Sequence, residues 1–462
     1  MKIINHIIFT DIGGSNKLMI NSLNGLMDKV DNNTFETIAR WKKCDEIVPA
    51  GDKETALYDS LCSRGYLVNS REEEVVIKNK ILDQLRQKHA KAKSNNRNIT
   101  FIMTYDCNFR CPYCFEGVAG RCEENNALAS HSKTAVLTPD MIDAALNMAG
   151  EELQYITLFG GEPLLPKTRS AIEYIVAKAP NMTYQIITNG YYLEEFFDLL
   201  SQITIASVMV TLDGEEETHN KRRYLPNGKP TYKKIIAGIE KYLDNGIPIC
   251  IRMNLDNSNF DECNRLKLKL LEQFSHHGEL LSFEISPMLE ATTDERNKAL
   301  SELYNTDINY SYDERKQRNR FLGRFSPLIN NITSGTKVKP VYSFCYAHDN
   351  GYMVDPYGYI FPCLLAVGVN ELAIGKYYPA VEFKENSIRN RNIDTIPKCR
   401  ECIYSLLCGG GCAISLGNYS DVFKPVCFNI LNQIHNMLPM LFNANDENTN
   451  KSKTPEPTGV RI

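Results

Sequence analysis

Cys107, Cys111 and Cys114 fall on one short loop, in the run Tyr-Asp-Cys-Asn-Phe-Arg-Cys-Pro-Tyr-Cys-Phe-Glu-Gly. No other feature narrows the possible folds as far, because a C-x3-C-x2-C loop organises around an inorganic centre. Three thiolates can hold three irons of a [4Fe–4S] cluster and leave the fourth iron without a protein ligand, open to a small molecule. The competing reading is a zinc knuckle. Structural zinc takes four ligands in a closed site, and the one nearby candidate for a fourth is Cys122.

The segments that follow are short apolar runs ending in polar residues. Tyr155-Ile-Thr-Leu-Phe159 leads into Gly160-Gly161-Glu162-Pro163, and Ile186-Ile-Thr188 leads into Asn189-Gly190. Val208-Met-Val-Thr-Leu ends on Asp213-Gly214, with His219 and Arg222-Arg223 beyond it. Ile251-Arg252-Met-Asn254 and Phe283-Glu-Ile-Ser-Pro287 complete the series. Strands whose carboxyl ends build a site have this form. The two glycines are expected to let a ligand approach the backbone closely. From roughly residue 98 to 290 the pattern resembles the radical S-adenosylmethionine (radical SAM) enzymes. The resemblance implies an α/β fold, a partial (β/α)6 barrel open on one side. It makes Cys107, Cys111 and Cys114 cluster ligands. It makes Gly160, Gly161, Glu162, Pro163, Thr188, Asn189, Asp213, Arg252, Asn254 and Tyr113 contacts of S-adenosylmethionine. No catalytic acid or base is singled out.

Composition bounds the rest. A chain of 462 residues is long enough for about three domains. Its net charge of −4 offers no electrostatic case for nucleic acid or an anionic membrane. No apolar run approaches the roughly 18 residues that a membrane helix requires. The first residues lack a signal-peptide pattern, so a cytoplasmic location is expected. In that compartment fifteen cysteines argue for metal rather than disulfides.

A second cysteine field comprises Cys345, Cys363, Cys399, Cys402, Cys408, Cys412 and Cys427, with a C-x2-C-x5-C-x3-C core. Gly358-Tyr-Ile-Phe-Pro-Cys363 reads as a hairpin strand ending in a thiolate. Cys408-Gly-Gly-Gly-Cys412 places glycines where backbone must wrap closely around a cluster. A two-zinc ribbon is the alternative. The field resembles the SPASM domain, the auxiliary-cluster module of radical SAM peptide-modifying enzymes. By that resemblance Cys399, Cys402, Cys408 and Cys427 hold a distal [4Fe–4S] cluster, and Cys345, Cys363 and Cys412 a proximal one. Three such clusters are then expected in all. The proximal set is one thiolate short. Either His348 or Asp349 completes it, or one iron is open to a substrate thiolate.

Residues 1–97 carry no cluster motif. Strands are expected near His6–Thr10, Lys17–Asn21, Gly25–Val30 and Gly65–Val68. Helices are expected from Asn33 through Trp41, over Asp52–Ser63, and from a Ser70 cap to about Lys93. The set resembles the winged-helix-like α+β peptide-recognition element of peptide maturases, which binds a leader peptide at a sheet edge. A DNA-binding winged helix is the alternative, disfavoured by the absence of a basic stripe. Residues 88–98 read as a polar linker, 98–335 as the barrel with a charged helical connection over 295–340, 336–443 as the cluster domain, and 444–462 as a disordered tail.

The combined resemblance implies a radical SAM enzyme that modifies a ribosomally made precursor peptide by hydrogen abstraction. A thioether from cysteine sulfur to carbon is the leading product. Electrons would come from a donor such as flavodoxin or ferredoxin. Carbon–carbon crosslinking, epimerisation and anaerobic sulfatase maturation are alternatives. The last is weakened because sulfatase-maturing enzymes carry an Asp at the place of Leu364. An iron–sulfur DNA-binding regulator is the reading from a different class.

Overall fold

The computed structural model describes residues 1–94, 97–114, 134–256, 258–287, 337–345, 347, 351–385, 387–416, 421–427 and five residues between 430 and 438. The expectations for Cys122, the 295–336 connection, His348, Asp349 and the tail lie outside them.

The N-terminal unit begins with β1 (Lys2–Ile3), β2 (Ile7–Asp11), β3 (Asn16–Asn21) and β4 (Met27–Asp31). Helices α1 (Asn32–Trp41) and α2 (Gly51–Ser63), strand β5 (Leu67–Val68) and helix α3 (Arg71–Ser94) follow. β2, β3 and β4 form an antiparallel sheet, and β1 pairs with β5. The α1 cap is Asp31, which accepts from Thr34 N at 2.7 Å, rather than Asn33. A Ser70 cap stands at α3, where Ser70 Oγ accepts from Glu73 N at 3.2 Å. Residues 88–94 continue α3, in line with the helix expected to about Lys93 and against the linker expected from residue 88.

Alternation divides the sheet between two cores. Ile7, Met19 and Val30 face Ile38 and Trp41 of α1. Ile8, Leu18 and Ile20 pack instead against Val338, Ile430, Ile434 and Leu438 of the C-terminal region. α3 also crosses to that region. Its Leu82 shares a core with Ile393, Ile396, Cys399 and Leu406, Lys78 donates to the Arg400 carbonyl, and Arg86 Nε donates to Asp394 at 2.7 Å.

The central unit alternates strand and helix: β6 (Asn98–Ile102), α4 (Pro139–Ala149), β7 (Tyr155–Phe159), α5 (Arg169–Lys178), β8 (Thr183–Thr188), α6 (Leu193–Leu200), β9 (Thr204–Thr211), α7 (Glu216–Arg222), α8 (Tyr232–Asp244), β10 (Ile249–Leu255), α9 (Phe260–Gln273) and β11 (Leu281–Pro287). The six strands are parallel and ordered as in sequence. Their apolar residues, such as Phe101, Leu158, Ile186, Val208 and Ile251, are buried with the inner faces of the helices in one core. That is the form of an α/β sheet with a site at its carboxyl edge.

The sheet does not stop at β6. β12 (Tyr352–Val354) adds to it in parallel, and β13 (Tyr359–Phe361), β14 (Gly375–Lys376) and β15 (Glu382–Phe383) continue it antiparallel to ten strands. The cysteine-rich region is therefore built onto the barrel edge. Among the described residues no helix is long and apolar enough to cross a membrane.

Candidate active site

The carboxyl ends of β6 to β11 converge on the Cys107–Cys114 loop. Met103 N donates to Phe159 O at 2.8 Å, Gly161 N to Thr104 O at 2.9 Å and Glu162 N to Asp106 O at 2.9 Å. The approach to the cysteine loop thus lies flat against the end of β7. Gly160 and Gly161 make this possible. A Cβ on Gly160 would stand 2.4 Å from Thr104 O, and one on Gly161 2.4 Å from Asp106 O. On the side where a Cβ would stand these glycines are packed against the chain itself, and the N–H groups of Gly161 and Glu162 are already bonded. Gly161→Ala is expected to lower stability by about 1–3 kcal/mol, as overpacking against backbone does. Thermal unfolding measures it.

Glu162 is 1% exposed. Its carboxylate accepts from Leu164 N at 2.8 Å, Thr188 Oγ1 at 2.6 Å and Asn189 N at 2.7 Å. Burial pushes its pKa up against the pull of those three bonds. Asn189 Nδ2 donates to Asn108 Oδ1 at 2.7 Å and lies 3.8 Å from Cys107 Sγ. Glu162, Thr188 and Asn189 therefore form one hydrogen-bonded path to the cysteine loop. The Pro163 carbonyl is occupied by Thr168 Oγ1.

A second path runs from the other end of the loop. Tyr113 Oη donates to Asp213, which is wholly buried, and accepts from Arg223 Nη1 at 2.7 Å. Asp213 Oδ1 accepts from Asn254 N at 3.0 Å. Arg252 bonds Asn254 Oδ1 at 3.3 Å and Ser286 Oγ at 3.2 Å, and lies 3.6 Å from Glu284. Burial opposes the Arg223 charge, but Cys111, Tyr113 and Asp213 outweigh it and raise its pKa. Arg223 is noted in the sequence but is not among the expected cofactor contacts. The Arg222-Arg223 pair after Asp213-Gly214 was the available signal. His219 is buried and held neutral by that burial, with Nε2 3.1 Å from Thr231 Oγ1.

The three loop thiols crowd one another. Burial pushes the Cys107 pKa up, and Glu162, Cys111 and Cys114 push it further; burial also raises Cys111. Thiolates gathered out of water need positive charge among them, so this donor set fits a cationic iron core.

The C-terminal thiols fall into two groups. Burial pushes Cys363 up to about 12, with Cys345 and Cys412 adding to it. Cys399 is pushed up to about 11 by burial, with Cys402 and Cys427 adding to it. Cys408 goes to about 12 by burial, with Cys399, Cys427 and Cys402 contributing. The first group joins the barrel through the hairpin that carries Cys363. Tyr105, two residues before Cys107, donates to Asp355 Oδ2 at 2.8 Å and stacks on Tyr357, both in the β12–β13 turn. Both groups fit thiolate-ligated metal by the same reasoning.

An open parallel sheet with three crowded thiols at its carboxyl edge has the form of an α/β protein built to hold an iron–sulfur cluster. Residues 101–266 match the Radical SAM superfamily model, and the chain carries a radical SAM domain. Curated relatives include the radical SAM cyclopropyl synthase TigE of Paramaledivibacter caminithermalis, 21% identical over 75% of each chain. Another is the sporulation killing factor maturation protein SkfB of Bacillus subtilis, 27% identical over 39% of this chain and 40% of that protein. Among solved structures, native anSMEcpe with bound AdoMet aligns over 76% of this chain and 99% of its own (TM-score 0.54, 18% identity). Streptococcus suis SuiB bound to precursor peptide SuiA aligns over 92% and 98% (TM-score 0.51, 14% identity). At these identities the likeness is one of fold.

Proposed function

We propose that this chain is a radical SAM enzyme that modifies a ribosomally made precursor peptide. The observation that carries the reading is the crowded Cys107, Cys111 and Cys114 triad at the carboxyl edge of the parallel strands, with Cys111 buried and its neighbours half-buried, joined to the Cys363 hairpin through Tyr105 and Asp355. A four-iron cluster there would supply the electron that splits S-adenosylmethionine into methionine and a 5′-deoxyadenosyl radical able to take hydrogen from a peptide carbon. The chain's own residues orient and exclude water. Asn189 and Asn108 brace the Cys107 side of the loop, and Tyr113, Asp213 and Arg223 brace the Cys111 side. Gly160, Gly161, Glu162, Pro163, Thr188, Arg252 and Asn254 line up along the same strand ends and are the candidate contacts for the cofactor. Cys399, Cys402, Cys408 and Cys427 are assigned to one auxiliary cluster, and Cys345, Cys363 and Cys412 to the other.

A peptide substrate is supported by the SuiB–SuiA complex, by anSMEcpe structures with peptides and by the name of SkfB. The N-terminal sheet offers a place for a leader. Among the described residues neither outer strand, β2 or β4, pairs with a further strand, and an extended peptide can add to such an edge. For the bond formed, a thioether is the first reading. Carbon–carbon closure is the second, favoured by the cyclopropyl synthase among the relatives. Either closure removes two hydrogens from the peptide. Incubating loaded enzyme with candidate cysteine-containing precursors is expected to give a product lighter by two hydrogens. Thiol alkylation separates the two readings: a thioether product resists it at one cysteine, and a carbon–carbon product does not. A precursor returned unchanged while 5′-deoxyadenosine accumulates would contradict the peptide assignment.

A further inference from the structure

Among the described residues of the C-terminal region a full positive charge is buried with no carboxylate bonded to it. Arg391 is 0% exposed. Its Nε donates to Val422 O at 2.8 Å, its Nη2 to Gly410 O at 2.6 Å and Lys424 O at 2.8 Å, and its Nη1 to Gly411 O. All four acceptors are backbone carbonyls. Among the described residues this guanidinium has no acidic partner. A buried charge in neutral surroundings is expensive unless opposite charge stands close by.

The opposite charge available is sulfur. Burial pulls the Arg391 pKa down, and Cys399, Cys412, Cys408 and Cys345 pull it back, in that order. Two of these thiols belong to each auxiliary group, so the guanidinium serves both. The backbone around it is shaped accordingly. Gly409, Gly410 and Gly411 all adopt positive φ, at +66°, +89° and +75°. A Cβ on Gly410 would stand 2.4 Å from Ile396 Cδ1 and 3.4 Å from Arg391 Nη1. One on Gly411 would stand 2.0 Å from Val426 O. Gly410 thus stands against Ile396 and this arginine, Gly409 against Ser343 and Phe344, and Gly411 against Val426.

We propose that Arg391 is a positioning residue and a built-in counter-ion shared by the two auxiliary clusters. Its fork ties the Gly410–Gly411 stretch between Cys408 and Cys412 to the 422–424 segment that leads to Cys427. Its charge offsets the thiolates on both sides. The inference rests on the assignment of those cysteines as cluster ligands. Its consequence is electrical: a fixed positive charge favours the more negative, reduced state of a nearby cluster, so both auxiliary clusters reduce more easily than they would without it.

The test uses the full chain, loaded anaerobically with iron and sulfide, as Arg391→Gln and Arg391→Lys, with Cys399→Ala and Cys412→Ala alongside. The readouts are iron per chain and a potentiometric titration followed by electron paramagnetic resonance. Arg391→Gln is expected to keep its iron. At a fixed potential it should hold about tenfold fewer reduced auxiliary clusters, the order of effect of one charge in a partly screened site. The Cys107–Cys114 cluster should titrate as in the wild type. Arg391→Lys should restore most of the difference. Auxiliary potentials unshifted at full iron in Arg391→Gln overturn the proposal. If Arg391→Gln sheds iron, the lysine variant decides. Recovery of iron and potential supports a charge role, and a lysine variant as deficient as the glutamine variant overturns it. Full iron retained in both cysteine variants would overturn the ligand assignment itself, and the proposal with it.

Discussion

Replacing Cys107, Cys111 and Cys114 together with Ala is expected to remove about four irons per chain and to reduce 5′-deoxyadenosine formation to background. The auxiliary signals should remain. The physical reason is that the triad is the only thiol group among the described residues placed at the carboxyl edge of the parallel strands, where Asn189, Tyr113 and Asp213 brace it. The path that holds the loop in place is backbone to backbone, through Met103, Gly161 and Glu162. Loss of three sulfurs therefore leaves the fold standing. Iron assay, electron paramagnetic resonance and chromatography of the nucleoside check the three parts separately. Undiminished cleavage in the triple variant would contradict the radical SAM reading of this loop.

The second large effect concerns the N-terminal unit. Removing residues 1–94 is expected to give an insoluble or iron-poor protein, not merely one that binds peptide weakly. Two apolar surfaces would be stripped. Val338, Ile430, Ile434 and Leu438 lose Ile8, Leu18 and Ile20, and Ile393, Ile396 and Leu406 lose Leu82. Contiguous apolar area of this kind drives aggregation. A milder version is Leu82→Ala, expected to destabilise by roughly 2–4 kcal/mol as buried Leu truncations do, and read by thermal unfolding. It should also loosen auxiliary iron, because Cys399 belongs to the same core. The partly exposed Arg86–Asp394 pair contributes less, about 1 kcal/mol. Burial raises the Asp394 pKa, but the bonds from Arg86 and Tyr342 outweigh it and leave it lowered. A carboxylate depressed in the fold stabilises above its ordinary value and loses that contribution as pH falls through the folded value. This contact should therefore hold at neutral pH and fail only in acid below the ordinary carboxylate range. A soluble 95–462 chain with full auxiliary iron would contradict the shared-core account.

Much of the catalytic unit was legible because its signals are local. The cysteine spacing is contained in eight residues, and each parallel strand is a short apolar run whose polar terminus marks the site edge. The helix expected from Ser70 to about Lys93 runs to Ser94, and the polar run over 88–94 belongs to it rather than to a linker, because Lys and Ala are strong helix formers. The glycines of Gly160-Gly161 announced close approach but not what approaches. On their Cβ side it is the backbone of Thr104 and Asp106, more than fifty residues earlier. Arg391 gave no signal at all. Its acceptors lie between 19 and 33 residues away, and an arginine in the polar run Arg389-Asn-Arg391-Asn392 reads as surface. The joining of β12 to β6 pairs Tyr352 with Ile99, a register that no periodicity within either strand could reveal.

The central claim is that the Cys107, Cys111 and Cys114 triad makes this chain a radical SAM enzyme. The most direct test is anaerobic: the iron-loaded wild-type protein with S-adenosylmethionine and a strong reductant, followed by quantification of 5′-deoxyadenosine and methionine over time. The account predicts that both appear in equal amounts, only in the presence of reductant, and faster when the cognate peptide is added. Intact S-adenosylmethionine after incubation with fully loaded, reduced protein would contradict it.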